Sequence, residues 1–191
     1  LGVLMLAPLV AVLDGAPLRR AFAATWLYSV AMALVSVRWL IHALVEQYGA
    51  APVPSWAFLG LIVGGLALLP ACAGALFARL SARLADAAAP LAFAAIWMLV
   101  EWLRAGPIGF PWLLAAQTWP RVPMALQLAE LGGATAVGFV TVAAGAGLGL
   151  ALRRASVRAL AAPAALVALA LGFGALRLAQ IAPPPGAITP A

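Results

Sequence analysis

Acids and bases are scarce in this sequence, so the spacing of the few present carries weight. Glu101 and Arg104 stand three apart at the end of an apolar run, with Trp97 four before Glu101. Residues three and four apart share a helical face, so this carboxylate and guanidinium can pair. Gly106-Pro107 ends the helix, because proline lacks the N–H and crowds the preceding turn. Gly109-Phe110-Pro111-Trp112 follows, two aromatics on a rigid turn. Lipid satisfies no N–H or C=O, so such a loop belongs at a membrane interface or folded back between helices.

A second set, Arg38, His42 and Glu46, is spaced by four and forms one polar stripe in an apolar segment. Three titratable groups in one stripe fit a wet, lined cavity. His42 could relay protons there, or simply pair with Glu46. Cys72 lies inside an apolar run beside Pro70 and Gly74, where a thiol is normally an inert small apolar residue. No catalytic residue, metal site or cofactor is expected from these groups.

The elements that must hold them are apolar helices. The chain has 191 residues, 66% hydrophobic and 8% charged, against about 25% charged in soluble domains. It therefore reads as an all-α, polytopic transmembrane bundle. Its net charge of +6 comes entirely from arginine, in short clusters between apolar runs. That pattern sets membrane orientation and argues against a nucleic-acid face. No basic n-region of a signal peptide is visible, and the chain begins at Leu1.

About six apolar segments follow in order: residues 1–13, 21–45, 54–77, 87–103, 124–152 and 159–178. The first is short of the ~20 residues that a span needs. Gly60/Gly64 and Gly145/Gly149 carry the four-residue small-residue spacing of close helix approach. Alternate connectors hold Arg19, Arg20, Arg79, Arg83, Arg153, Arg154 and Arg158, and the others Arg104, Arg121 and Arg177. By the positive-inside rule the first set is cytoplasmic, and the Gly-Phe-Pro-Trp loop and the C-terminal tail face outward. Glu130, near the outer start of a span, is placed to neutralise Arg121 or Arg104, or is a carboxylate favoured in a first helical turn.

Glu101-Trp102-Leu103-Arg104, a short spacer and Gly109-Phe110-Pro111-Trp112 together resemble the membrane domain of bacterial apolipoprotein N-acyltransferases. Arg19-Arg20-Ala21-Phe22, Trp39, Tyr48-Gly49 and Leu128-Ala129-Glu130-Leu131-Gly132-Gly133 extend the resemblance along the chain. Leu40-Ile41-His42-Ala43 departs from the family's Tyr and Ser pattern, so Arg38 and His42 are read as a private feature.

The resemblance implies a transmembrane domain over 1–181 and a Pro-rich periplasmic linker over 182–191, in the bacterial inner membrane. It implies a further span before Leu1, and a nitrilase-like domain and a last span beyond the linker. That family moves an acyl chain from a membrane phospholipid to the N-terminal cysteine amine of a diacylated apolipoprotein, through a Glu-Lys-Cys triad in the nitrilase-like domain. None of the triad can be assigned here, and the sequence contains no lysine. The chain is then expected to anchor the catalytic domain and form the lipid entrance, inactive alone, with Glu101, Arg104, Gly109, Phe110, Pro111 and Trp112 as the entrance residues. The alternative is a stand-alone membrane scaffold or lipid-binding protein. A small transporter ranks below both, since no internal repeat or midplane polar cluster is visible.

Overall fold

The computed structural model describes residues 2–119 and 121–180, and the Pro-rich tail expected over 182–191 lies outside them. Among the described residues every regular element is helical. Three helices are long and apolar enough to cross a membrane: Pro52–Ser81, Ala129–Arg154 and Arg158–Gln180. A fourth is counted if Leu18–Ser36 and Trp39–Gln47, bent by 48°, form one span.

We number the helices α1 (Gly2–Leu13), α2 (Leu18–Ser36), α3 (Trp39–His42), α4 (Pro52–Leu66), α5 (Leu68–Ser81), α6 (Ala89–Ala105), α7 (Pro123–Leu126), α8 (Ala129–Arg154) and α9 (Arg158–Gln180). α1 and α6 are apolar but short, 12 and 17 residues. The segment read as one span over 21–45 breaks at Val37. Leu40 and Ile41 donate to carbonyls only three residues back, and a π-helical turn, Ala43–Gln47, follows. Between α4 and α5 the break is slight. Pro70 has no N–H to donate, and its ring crowds the carbonyl of Leu66.

α8 is the central helix, and its glycines explain why. A Cβ on Gly145 would meet the Val3 carbonyl, and one on Gly149 would overlap the Ala7 carbonyl, so α1 lies directly on that face. Gly147 receives Ala159 and Pro163 of α9, and Gly138 receives Met98 of α6. Without side chains between them the backbones gain close van der Waals contact, the main attraction available between helices in lipid. The Gly145/Gly149 pair thus makes the approach that its spacing predicts. The Gly60/Gly64 pair does not: Gly60 has no neighbour within contact, and Gly64 touches only Trp26, whose Nε1 donates to the Gly64 carbonyl at 3.0 Å.

The main core joins α1, α5, α6 and α8 through Leu6, Val10, Leu13, Phe77, Phe93, Val142 and Leu150. Phe77 meets Phe93 edge-on at 5.0 Å, and Phe93 leans on Trp97 at 5.5 Å. A second cluster of Val37, Ile41, Leu59 and Val63 packs the bend after α2 against α4.

At one end of the bundle Arg154 ties three connectors together. Its guanidinium donates to both carboxylate oxygens of Asp14, at 2.9 and 2.7 Å, to Asp86 at 3.0 Å, and to the Ser81 carbonyl at 2.8 Å. Ser81 in turn accepts from the Gly15 amide at 3.2 Å. The Arg154 hydrogen bond and charge hold the Asp14 carboxyl below its ordinary value, and the Ser156 hydroxyl and then Arg154 do the same for Asp86. These connectors are the arginine-rich ones of the sequence.

Candidate lipid-facing cavity at the end of α6

At the opposite end of α6, a rise of about 25 Å from the Asp86 connector, the chain folds back as a loop. Gly106, with Pro107 behind it, stops the helix. The loop contains a 3₁₀ turn, Ala115–Thr118, that packs on α8.

Glu101 is buried, and its Oε1 accepts from Trp97 Nε1 at 3.1 Å and from the Ala115 amide at 3.0 Å. Arg104 Nη2 donates to the Leu113 carbonyl at 3.0 Å. The expected ion pair between these two side chains does not form. The reason is geometric: each spends its reach on a different backbone group of the same returning segment, Arg104 on the Leu113 carbonyl and Glu101 on the Ala115 amide. Between them they fix residues 113 and 115, just after Gly-Phe-Pro-Trp. Leu113 is held at a left-handed φ of 61°, uncommon for a residue with a Cβ, and its side chain packs against the Val37–Val63 cluster.

Upstream in the loop, Gly109 supplies the turn with φ of 74°, where a left-handed residue without a Cβ avoids strain. Phe110 meets Trp112 edge-on at 4.8 Å, and Trp112 meets Trp39 at 5.6 Å. Pro111 offers its carbonyl to Gln117 Nε2, and Gln117 Oε1 accepts from the Leu114 amide at 3.2 Å. A further tie comes from Trp119, whose Nε1 donates to Thr141 of α8 at 2.6 Å.

Beneath this loop lies a cavity of about 320 Å³ between α1, α2, the α4–α5 rod and α6. Its walls are mostly apolar, with Met5, Met32, Val63 and Pro70 among them, and Glu101, Arg104 and Phe110 stand in it with Leu113. Gly109, Pro111 and Trp112 are not in the lining: the first two shape the loop, and Trp112 packs edge-on against Trp39.

The second polar set is placed elsewhere. His42 Nδ1 and Glu46 Oε1 are 2.9 Å apart, but both side chains are about 60% exposed, 64% and 61%. With Arg38, Trp39 and Trp56 they line a shallow groove. Arg38 has no ion pair among the described residues. The stripe is therefore a helix-surface feature, separate from the cavity under the loop. Glu130 pairs with Arg177 of α9 at 2.6 Å, in place of the Arg121 or Arg104 that its position suggested. Cys72 is exposed on α5. No grouping of metal-ligating side chains occurs among the described residues.

Reasoning from sequence missed the Arg154 clasp, Leu113 and the Trp119–Thr141 bond. Asp14 and Asp86 offered a signal for the first, as two of only five acids, both set among arginines. Leu113 and Trp119 offered none, being apolar residues in a loop.

Residues 1–147 match the family model described as the apolipoprotein N-acyltransferase N-terminal domain. Among similar proteins, the apolipoprotein N-acyltransferase of Caulobacter vibrioides is 34% identical over 98% of this chain and 36% of its own length. That of Pseudomonas paraeruginosa is 36% identical over 73% of this chain and 28% of its own. That of Vibrio cholerae is 29% identical over 86% and 32%. The chain thus spans about a third of the length of these relatives.

Proposed function

The chain belongs to the apolipoprotein N-acyltransferase family, as its N-terminal membrane domain, and from that premise we propose that it binds a membrane phospholipid in the cavity under the Gly-Phe-Pro-Trp loop. In the whole protein this phospholipid is the acyl donor, and a diacylated apolipoprotein is the acceptor. The present chain anchors a nitrilase-like domain and forms the lipid entrance, with no part of the catalytic triad and no activity alone.

The observation that carries this reading is the cavity itself. Its apolar walls suit an acyl chain, while Glu101 and Arg104 put a carboxylate and a guanidinium at one end. A pocket with apolar walls and a few convergent polar groups is the usual form of a small-molecule site. Arg104 offers a charged donor to a phosphate, and Phe110 with Trp112 forms the aromatic edge of the entrance.

The bundle crosses the bacterial inner membrane in about six spans, counting α1, α6 and the bent α2–α3 pair. The arginine-rich connectors face the cytoplasm, and the loop and the tail lie on the periplasmic side. Residues 1–181 form the membrane domain, and 182–191 the linker to the catalytic domain.

The test uses a phospholipid carrying a photoactivatable diazirine on one acyl chain, added to the detergent-solubilised chain. Labelling of Met32, Val63 and Leu66 is expected. Labelling confined to outward faces, such as Leu169 and Leu176 of α9, would overturn the proposal.

A further inference from the structure

Most of the net charge of the chain is gathered at the end of the bundle that Arg154 ties. The three connectors there, with the helix turns beside them, carry seven arginines against two aspartates, a net +5 that leaves +1 for the rest of the chain. Arg154 takes both aspartates, at 2.7 Å from Asp14 and 3.0 Å from Asp86. The other six, Arg19, Arg20, Arg79, Arg83, Arg153 and Arg158, are exposed, and none has an ion pair among the described residues.

The clasp also brings them together. The Gly15 amide donates to the Ser81 hydroxyl, Arg154 to the Leu84 carbonyl, and Ser156 to Asp86, so the turns after α1, α5 and α8 meet. Arg79 and Arg83 flank Ser81, and Arg153 and Arg158 flank Ser156. Leu18, Leu152 and Val157 are exposed among them.

Gathered like charges repel one another until counter-charge arrives, and both acids of this end are already taken. Cations interleaved with exposed apolar side chains, at the ends of apolar helices, suit the boundary between head groups and acyl chains. The partner that brings negative charge to that depth is a phospholipid of net negative head group. A zwitterionic head group carries a cation of its own, which the arginines repel. A free phosphate ion offers nothing to Leu18, Leu152 and Val157.

We propose that the end of the bundle tied by Arg154 is an interaction surface for anionic phospholipid, whose phosphates the six free arginines hold around the three connectors. The surface is independent of the cavity at the other end of α6.

The experiment is lipid selectivity by spin-label spectroscopy. The 191-residue chain is reconstituted in phosphatidylcholine bilayers with a trace of spin-labelled phosphatidylglycerol or spin-labelled phosphatidylcholine. The motionally restricted fraction of each label gives the number of perimeter lipids and the relative association of the two. One arginine beside an anionic head group corresponds to about five-fold in association, so phosphatidylglycerol should be favoured about 2- to 5-fold after averaging over the perimeter. Screening shortens from ~10 Å at 0.1 M salt to ~3 Å at 1 M, where the preference should vanish. The triple variant Arg83→Gln, Arg153→Gln, Arg158→Gln should keep the number of perimeter lipids, which shows the bundle intact, and lower the preference by about half. The corresponding lysine triple should retain it, and Arg38→Gln with Arg121→Gln, away from this surface, should leave it unchanged. If the glutamine triple loses perimeter lipids, Arg19→Gln with Arg20→Gln, outside the clasp, must lower the preference or the inference fails. Equal restriction of the two labels in the wild type would overturn it, as would a preference that persists at 1 M salt or one that disappears with Arg38 and Arg121.

Discussion

Each of the five carboxylates has an identified partner, and the partners sort by end of the bundle. Asp14 and Asp86 share Arg154, Glu130 takes Arg177, and Glu46 takes His42. Glu101 alone is spent on a backbone amide and an indole. Substituting Glu101→Ala would strand the Ala115 and Trp97 N–H groups in a buried site, at about 1–3 kcal/mol for each donor left unmade. Glu101→Gln keeps an acceptor oxygen and should lose much less. Hydrogen exchange at the Ala115 amide separates the two: fast exchange in the alanine variant and near-native protection in the glutamine variant are expected. Equal protection in both would mean that the loop is held by Trp119 and Arg104 without the carboxylate. The sequence makes Glu101 and Arg104 visible as a pair on one helical face. It leaves their partners hidden, because a backbone amide and a backbone carbonyl carry no residue-type signature.

Among the elements, the outer ends of the α4–α5 rod, both ends of α6 and α9 and the C-terminal end of α8 follow from apolar run length and from Pro, Gly and Arg punctuation, and they fall near the expected positions, whereas the α4–α5 break inside the span expected over 54–77 does not. Bends are less legible. The break at Val37 has no proline or glycine to announce it, whereas the interruption near the start of α8 does: Gly133 sits there with φ of 62°. Small-residue spacing is a partial guide. Gly145/Gly149 and Gly60/Gly64 have the same spacing, but only the first meets a neighbouring backbone, since spacing shows that an approach is possible and not which helix will make it. Gly149→Val should therefore push α1 off α8, where the Ala7 carbonyl occupies the space. Overpacking of this kind costs about 1–3 kcal/mol, and a backbone atom yields less readily than a side chain. Gly60→Val, with open space around it, should leave thermal stability in detergent close to wild type. Similar losses from the two substitutions would show that the glycines act through helix propensity and not through packing.

For the molecule as a whole, the two ends of α6 are fastened by different physics. The loop end relies on Glu101 and Arg104 gripping loop backbone and on the loop's Trp119 gripping Thr141 of α8. The connector end relies on one arginine shared by two aspartates, which makes it the end that acid should open. Both aspartate carboxyls are held below their ordinary values in the folded chain. A carboxylate with a depressed folded pKa contributes stability that is fully present above its unfolded value, near 3.9, and is lost as pH falls through the lower folded value. The clasp should thus be intact from neutral pH down to about pH 4 and fail below it. Arg154→Ala removes the shared cation and leaves Asp14, only 13% exposed, with no ion-pair partner, and Asp86 with the Ser156 hydroxyl in place of its ion pair. Its melting temperature in detergent should lie several degrees below wild type at pH 7, and the gap should close as pH falls below about 4 and the aspartates become neutral in both proteins. Arg153→Ala, which removes a neighbouring arginine with no ion pair among the described residues, is the control and should shift the melting temperature far less. A gap that persists unchanged into strong acid would mean that Arg154 stabilises through its bond to the Ser81 carbonyl and its packed methylenes. The three-connector clasp would then be a matter of shape and not of charge.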